Sequence, residues 1–119
     1  MEYINYILMA FLAFFIIQRV MPGKGIKQIS TAELKSELKD SAKQFIDVRT
    51  PGEFRGNHIR GFKNIPLHQL SNKAQQLSKE KEVIVICQSG MRSQKASKIL
   101  RKQGFTKVTN VKGGMSAWS

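Results

Sequence analysis

Glu82-Val83-Ile84-Val85-Ile86-Cys87-Gln88-Ser89-Gly90-Met91-Arg92-Ser93 is the stretch from which the rest of the chain can be read. The continuous apolar run Val83 to Ile86 spells a buried strand, and a helix-like stretch follows the short polar loop after Cys87. A strand that reverses abruptly into a helix leaves several backbone N–H groups aimed at one spot, where the positive end of the helix dipole also lies. A sulfur placed there is drawn toward the thiolate by the dipole, the free amides and the guanidinium of Arg92. On composition alone a lone cysteine reads as a small buried hydrophobe. Its neighbours reverse that reading: Gly90 permits a tight ring of amides, Ser89 and Ser93 add hydroxyls, and nothing from Gln88 to Ser93 is suited to packing a core. Cys87 is therefore the candidate nucleophile, with Gln88, Ser89, Gly90, Met91 and Arg92 as its substrate-binding loop. Arg92, with five fixed donors, is suited to holding an oxyanion.

Outward from this loop, strands and helices alternate. Residues 26–29 read as a first strand, and Ser30-Thr31-Ala32-Glu33 as a capping box opening a helix through about Leu38. Gln44 to Val48 forms a second buried strand, and Thr50-Pro51-Gly52-Glu53 opens a short helical turn with proline where its missing N–H costs little. A brief strand at 62–65 leads to a helix from about Leu67 to Leu77 and then to the central strand 83–86. Arg92 to Gln103 is helical with Ala96, Ile99 and Leu100 facing inward, and Gly104 ends it as a left-handed cap. Phe105 to Val111 supplies the last strand and Met115 to Trp118 a closing turn. This alternation implies a mainly parallel sheet covered on both faces, whose ligands bind at the carboxyl ends of the strands.

Three separated segments resemble the rhodanese family of single-domain sulfurtransferases, over roughly residues 28 to 118. They are Ile46-Asp47-Val48-Arg49-Thr50-Pro51-Gly52-Glu53-Phe54 continuing through His58-Ile59-Arg60-Gly61 and Asn64-Ile65-Pro66, the cysteine loop, and Val111 to Trp118. The resemblance implies a three-layer α/β fold with a mainly parallel five-stranded sheet, and transfer of sulfane sulfur through a Cys87 persulfide. The donor would be a small anion such as thiosulfate or a persulfide, the acceptor a thiol or cyanide, with no cofactor or metal. Asp47 and Arg49 end the strand that the family places near the loop, and read as a structural charge pair bracing it. Glu53 and His58 read as turn-holding residues, since the chemistry needs no strong general base. Gly113, Gly114 and Trp118 are expected to position the last turn behind the loop. The sequence departs from the family pattern at Asn57, which stands where glycine is usual before the histidine, and at Phe62, which stands where a small residue is usual. Asn tolerates a left-handed backbone and Phe62 can pack, so local reshaping without loss of fold is expected.

The same fold carries cysteine phosphatases, but these want five residues between cysteine and arginine. Here four intervene and the sixth position is Ser93, a smaller loop that favours sulfur over a phosphoryl group. A noncatalytic redox-sensing or partner-docking module at a membrane is the other alternative.

The chain has 119 residues and a net charge of +12, and Glu2 and Arg19 cancel within that sum. There is room for one globular core of about 95 residues. A single cysteine excludes an intramolecular disulfide and a cysteine-based zinc site, and His58 and His68 read as hydrogen-bonded turn residues. Without aromatic platforms among the basic residues, nucleic acid is not an expected partner; anionic lipid headgroups and small anionic sulfur compounds are. From Tyr3 to Ile17 the chain is apolar apart from Asn5. Residues 1–21 are read as an uncleaved transmembrane anchor, 22–27 as a linker around Pro22-Gly23-Lys24-Gly25, and 28–119 as the catalytic domain. Fifteen residues cover only about 22 Å against about 30 Å of hydrocarbon, a short span. A basic head and a small-residue cleavage site, which a signal peptide requires, are both missing. Arg19, Lys24 and Lys27 all follow the apolar run, so the positive-inside rule faces the domain to the cytoplasm.

Overall fold

A computed structural model describes residues 2–20 and 25–119. Five strands, β1 (Ile26–Ile29), β2 (Gln44–Asp47), β3 (Lys63–Asn64), β4 (Val83–Ile86) and β5 (Val108–Val111), form one sheet in the order β1-β5-β4-β2-β3. Every pairing is parallel, which requires a crossover after each strand and explains why helices separate them in sequence. These helices are α2 (Thr31–Glu37), α3 (Pro51–Gly56), α4 (Leu67–Lys73), α5 (Met91–Lys102) and α6 (Gly114–Ala117), preceded by α1 (Glu2–Val20).

The central strand shows why its run does not alternate. Val83 and Val85, with Cys87 beyond them, pack on one face against Leu70, Ala74, Ala96, Leu100 and Phe105 of the α4 and α5 side. Ile84 and Ile86 pack on the other against Leu34, Ile59, Phe62 and Met115. With both faces covered, each position gains from an apolar side chain, roughly 1.5–3 kcal/mol apiece for full burial.

Local signals set the helix ends. Ser30 Oγ accepts the Glu33 N–H at 3.1 Å while Glu33 receives the Ser30 N–H, closing the expected box. Thr50 and Glu53 form a second such box at α3, with Pro51 at its first position. Gly104 takes a left-handed φ of +101° just past α5. Phe62 is buried and its ring lies 5.4 Å from that of Phe45, so the larger residue is accommodated by packing.

Five expectations need correction. Asn57 is not left-handed; its φ of −169° is extended backbone, and its N–H donates to the Glu53 carbonyl to end α3. The domain begins earlier than residue 28, because Ile26 and Lys27 already pair with Val108 and Thr109 in β5; the linker residues 22–24 lie outside the described residues. The helix expected over 67–77 gives way to a 3-10 turn at Ala74–Gln76, and the last strand starts at Val108, not Phe105. Finally, the apolar N-terminal run does form a helix, and Tyr3, Ile4, Tyr6–Met9, Phe11, Leu12 and Phe14–Ile17 are all exposed on it. Among the described residues, however, no helix is long and apolar enough to cross a membrane. The physical reason is the one the run itself supplies: the stretch free of strongly polar groups ends at Ile17, short of a bilayer's hydrocarbon thickness.

Candidate active site

Because all strands run the same way, the segments that follow β2, β4 and β5 converge at one end of the sheet. The site is built there. Cys87 immediately follows β4, has no exposed surface, and its Sγ accepts the Gly90 N–H at 3.0 Å. Gly90 makes this possible with a φ of +100°, turning the chain so sharply that its amide points back at the residue three positions earlier. A Cβ there would lie 3.3 Å from the Gly113 nitrogen, so the loop and the last turn are in close contact.

Ser93 closes the turn from inside. Its hydroxyl donates to the Gly90 carbonyl at 3.1 Å and is fully buried, so it braces the loop and does not face a ligand. α6 holds the loop from behind: Met115 N–H donates to the Cys87 carbonyl at 2.8 Å and Ser116 N–H to the Gln88 carbonyl at 2.9 Å. This approach needs Gly114, whose added Cβ would fall 2.9 Å from the carbonyl carbons of both Cys87 and Gln88. Gln88 is tied on two sides, donating to Ser116 Oγ at 3.2 Å and accepting from Arg49 Nη1 at 3.3 Å. Ser89 and Met91 are exposed at the loop's mouth.

Asp47 and Arg49 form the expected buried pair. The Asp47 carboxylate accepts from the Arg49 backbone N–H, Nε and Nη2 at 2.9–3.1 Å, and both residues are almost fully buried. Arg49 also donates to the Asn57 carbonyl, and Asn64 Nδ2 donates to the backbone carbonyls of Asp47 and Arg49. The pair thus ties the end of β2 to the segment after α3 and, through Gln88, to the cysteine loop.

The guanidinium of Arg92, expected to hold an oxyanion, is paired with a carboxylate. Its Nη1 and Nη2 donate to Glu53 Oε1 and Oε2 at 2.7 and 2.9 Å, a bidentate pair between α5 and α3. Glu53 Oε1 also accepts from Thr50 N–H and Oγ1 at 3.1 and 3.0 Å. The Arg92 guanidinium, and then the Thr50 N–H, hold the Glu53 carboxyl down at about 2. The Arg92 pKa is raised, chiefly by its hydrogen bonds to the Glu53 carboxylate. Glu53 is the site residue that sequence reasoning placed only in a turn. His58 is a turn residue as expected: Nδ1 donates to the Phe54 carbonyl at 2.7 Å and the ring stacks on Phe54. Beside Arg92 lies a cleft of about 420 Å³, lined by Thr50, Leu67, His68, Lys95 and Ile99 among others.

A buried thiol that accepts a backbone N–H, in a loop braced through Gln88 by a buried ion pair, is suited to carrying a transferable group as a covalent adduct. Comparison with known proteins agrees. Residues 30–119 match the family model described as "Rhodanese-like domain". The chain is 44% identical over 94 residues to the putative sulfurtransferase YtwF of Bacillus subtilis, covering 78% of this chain and 90% of that one. It is 38% identical over 109 residues to YqhL of the same organism, covering 92% and 85%. The crystal structure of a rhodanese-like domain protein from Staphylococcus aureus superposes with a TM-score of 0.72 at 35% identity, covering 78% of this chain and 91% of that one.

Proposed function

The chain belongs to the rhodanese-like domain family, and on that footing we propose that it is a sulfurtransferase working through a persulfide on Cys87. In the first half-reaction the Cys87 thiolate attacks the sulfane sulfur of a donor such as thiosulfate or a persulfide. The donor's S–S bond breaks, the leaving group (sulfite or a thiolate) departs with the electron pair, and Cys87–S–S⁻ remains. In the second, an acceptor thiolate or cyanide attacks the outer sulfur and Cys87 leaves as thiolate. The observation that carries this reading is the Gly90 N–H aimed at Cys87 Sγ within a loop of six residues from cysteine to arginine inclusive. That amide stabilises negative charge on the cysteine sulfur without a general base.

Sγ is enclosed, so a donor reaches it only as loop side chains move, and the exposed Met91 and Ser89 are where it first meets the protein. Gln88, fixed by Arg49 and Ser116, keeps the loop's far side still while this happens. We read residues 88–92 as the substrate loop, Asp47 and Arg49 as its support, and the exposed apolar side chains of α1 as a membrane attachment that leaves the catalytic domain facing the cytoplasm. For the site, the test is incubation of the protein with thiosulfate followed by kinetic assay with a thiol acceptor; turnover that survives Cys87→Ser defeats the reading. A phosphatase would instead hydrolyse aryl phosphates faster than it transfers sulfur. For the attachment, cell fractionation should leave the full chain in the membrane fraction after a high-salt wash, and recovery in the soluble fraction refutes it.

A further inference from the structure

The charge at the mouth of the site is not what the chain's composition leads one to expect. The protein carries +12 overall, yet each of the two guanidinium groups beside the cysteine loop is already matched by a carboxylate, Arg49 by Asp47 and Arg92 by Glu53. Both terminal nitrogens of Arg92 face Glu53, and both Glu53 oxygens are taken. That leaves the Gly90 amide at the sulfur and the Lys95 ammonium on the adjoining cleft as the anion donors. Such an arrangement accepts a singly charged sulfur but gives little return for the second charge of a dianion, and the Glu53 carboxylate repels it.

We propose that Glu53 is a specificity-determining residue which, by neutralising Arg92, makes Cys87 favour singly charged sulfur donors over dianionic ones. This rests on the sulfurtransferase reading. Glu53 touches no reacting atom and acts through Arg92, so it is a positioning residue. With thiosulfate the balance is Cys87–S⁻ plus S–SO₃²⁻ giving Cys87–S–S⁻ plus SO₃²⁻, a step in which the dianion must approach and a dianion must leave. With methanethiosulfonate the same S–S bond breaks, but donor and leaving methanesulfinate are each singly charged. The two donors differ chiefly in the charge that Glu53 would sense.

The test is Glu53→Gln in the full chain, because glutamine preserves the α3 capping box while removing the charge. The rate of sulfur gain at Cys87 is measured with each donor over a range of concentrations and of added salt. The expected result is a rise of about tenfold in kcat/KM for thiosulfate, carried by KM, against about threefold or less for methanethiosulfonate, with the difference shrinking as salt screens it. Adding Arg92→Gln to Glu53→Gln should cancel the gain. Equal effects on both donors, or a fall in kcat alone, would make Glu53 a brace and overturn the proposal. A binding arm separates this from the underlying reading: sulfite should bind Cys87→Ser, Glu53→Gln about tenfold more tightly than Cys87→Ser, followed by NMR titration. If the parent protein gains no sulfur from either donor, the sulfurtransferase reading fails, while the sulfite comparison still decides what Glu53 does to anions. Unchanged or weaker sulfite binding overturns the proposal.

Discussion

Replacing Gly114 with alanine tests how the last turn supports the nucleophile. Gly114 has a φ of +55°, where alanine costs about 1–2 kcal/mol. Its Cβ would also sit 2.9 Å from the carbonyl carbons of Cys87 and Gln88, and nearer still to the Cys87 oxygen. Since backbone cannot yield as a flexible side chain does, α6 must withdraw. That loses the Met115 and Ser116 N–H bonds to the Cys87 and Gln88 carbonyls, each worth about 0.5–1.5 kcal/mol net. The sum is a destabilisation of about 2–5 kcal/mol. For a domain of this size that lowers Tm by roughly 10–30 °C, readable by calorimetry or by Trp118 fluorescence. Gly61→Ala is the control, because Gly61 has a φ of +99° but nothing within 4 Å of its added Cβ. It should show the backbone cost alone. Equal stability losses in the two variants, or a loss under about 1 kcal/mol for Gly114→Ala, would refute the claim that α6 is wedged against the nucleophile's backbone.

Arg49→Met should cost about 3–5 kcal/mol by urea unfolding because it strands the Asp47 carboxylate in the interior; adding Asp47→Asn should recover part of that, and full additivity would disprove the coupling. Glu53, with its pKa lowered from 4.5 to about 2, contributes stability that is present above pH 4.5 and lost as pH falls toward 2. Acid titration of unfolding should therefore show Glu53→Gln losing less stability across that window than the parent, and parallel curves would argue against the pair. Arg92→Ala leaves the Glu53 charge uncompensated at the mouth, so thiosulfate loading should slow by about tenfold or more in a stopped assay, whereas an unchanged rate would show that the amides suffice. Leu100→Ala, at a fully buried α5 position between the helix and the sheet, should cost about 2–5 kcal/mol by the same denaturation.

The parts of the structure legible in the sequence were those with local causes. Val83 to Ile86 announced a doubly covered strand because burial on both faces removes the polar half of the pattern. Ser30 and Glu33, three residues apart, carry their cap within one turn, and Gly104 marks the end of α5 by backbone geometry alone. Thr50-Pro51-Gly52-Glu53 carried the same cap signature and was open to the same reading. What the sequence could not show was Glu53 reaching Arg92, because they stand 39 positions apart, with two strands and a helix between them whose packing decides the meeting. The same holds for Arg49 and Gln88. At Asn57 a residue preference pointed to a left-handed turn, but the carbonyl is needed by Arg49 and the backbone stays extended. Propensity gave way there to a buried guanidinium's demand for acceptors.

Whether Cys87 carries the transferred sulfur is decided by intact mass spectrometry of the full chain after exposure to thiosulfate. One sulfur atom should be gained, mapped to Cys87, reversed by dithiothreitol and missing in Cys87→Ser. A chain that gains no sulfur, or gains it equally in the serine variant, would contradict the Cys87 persulfide.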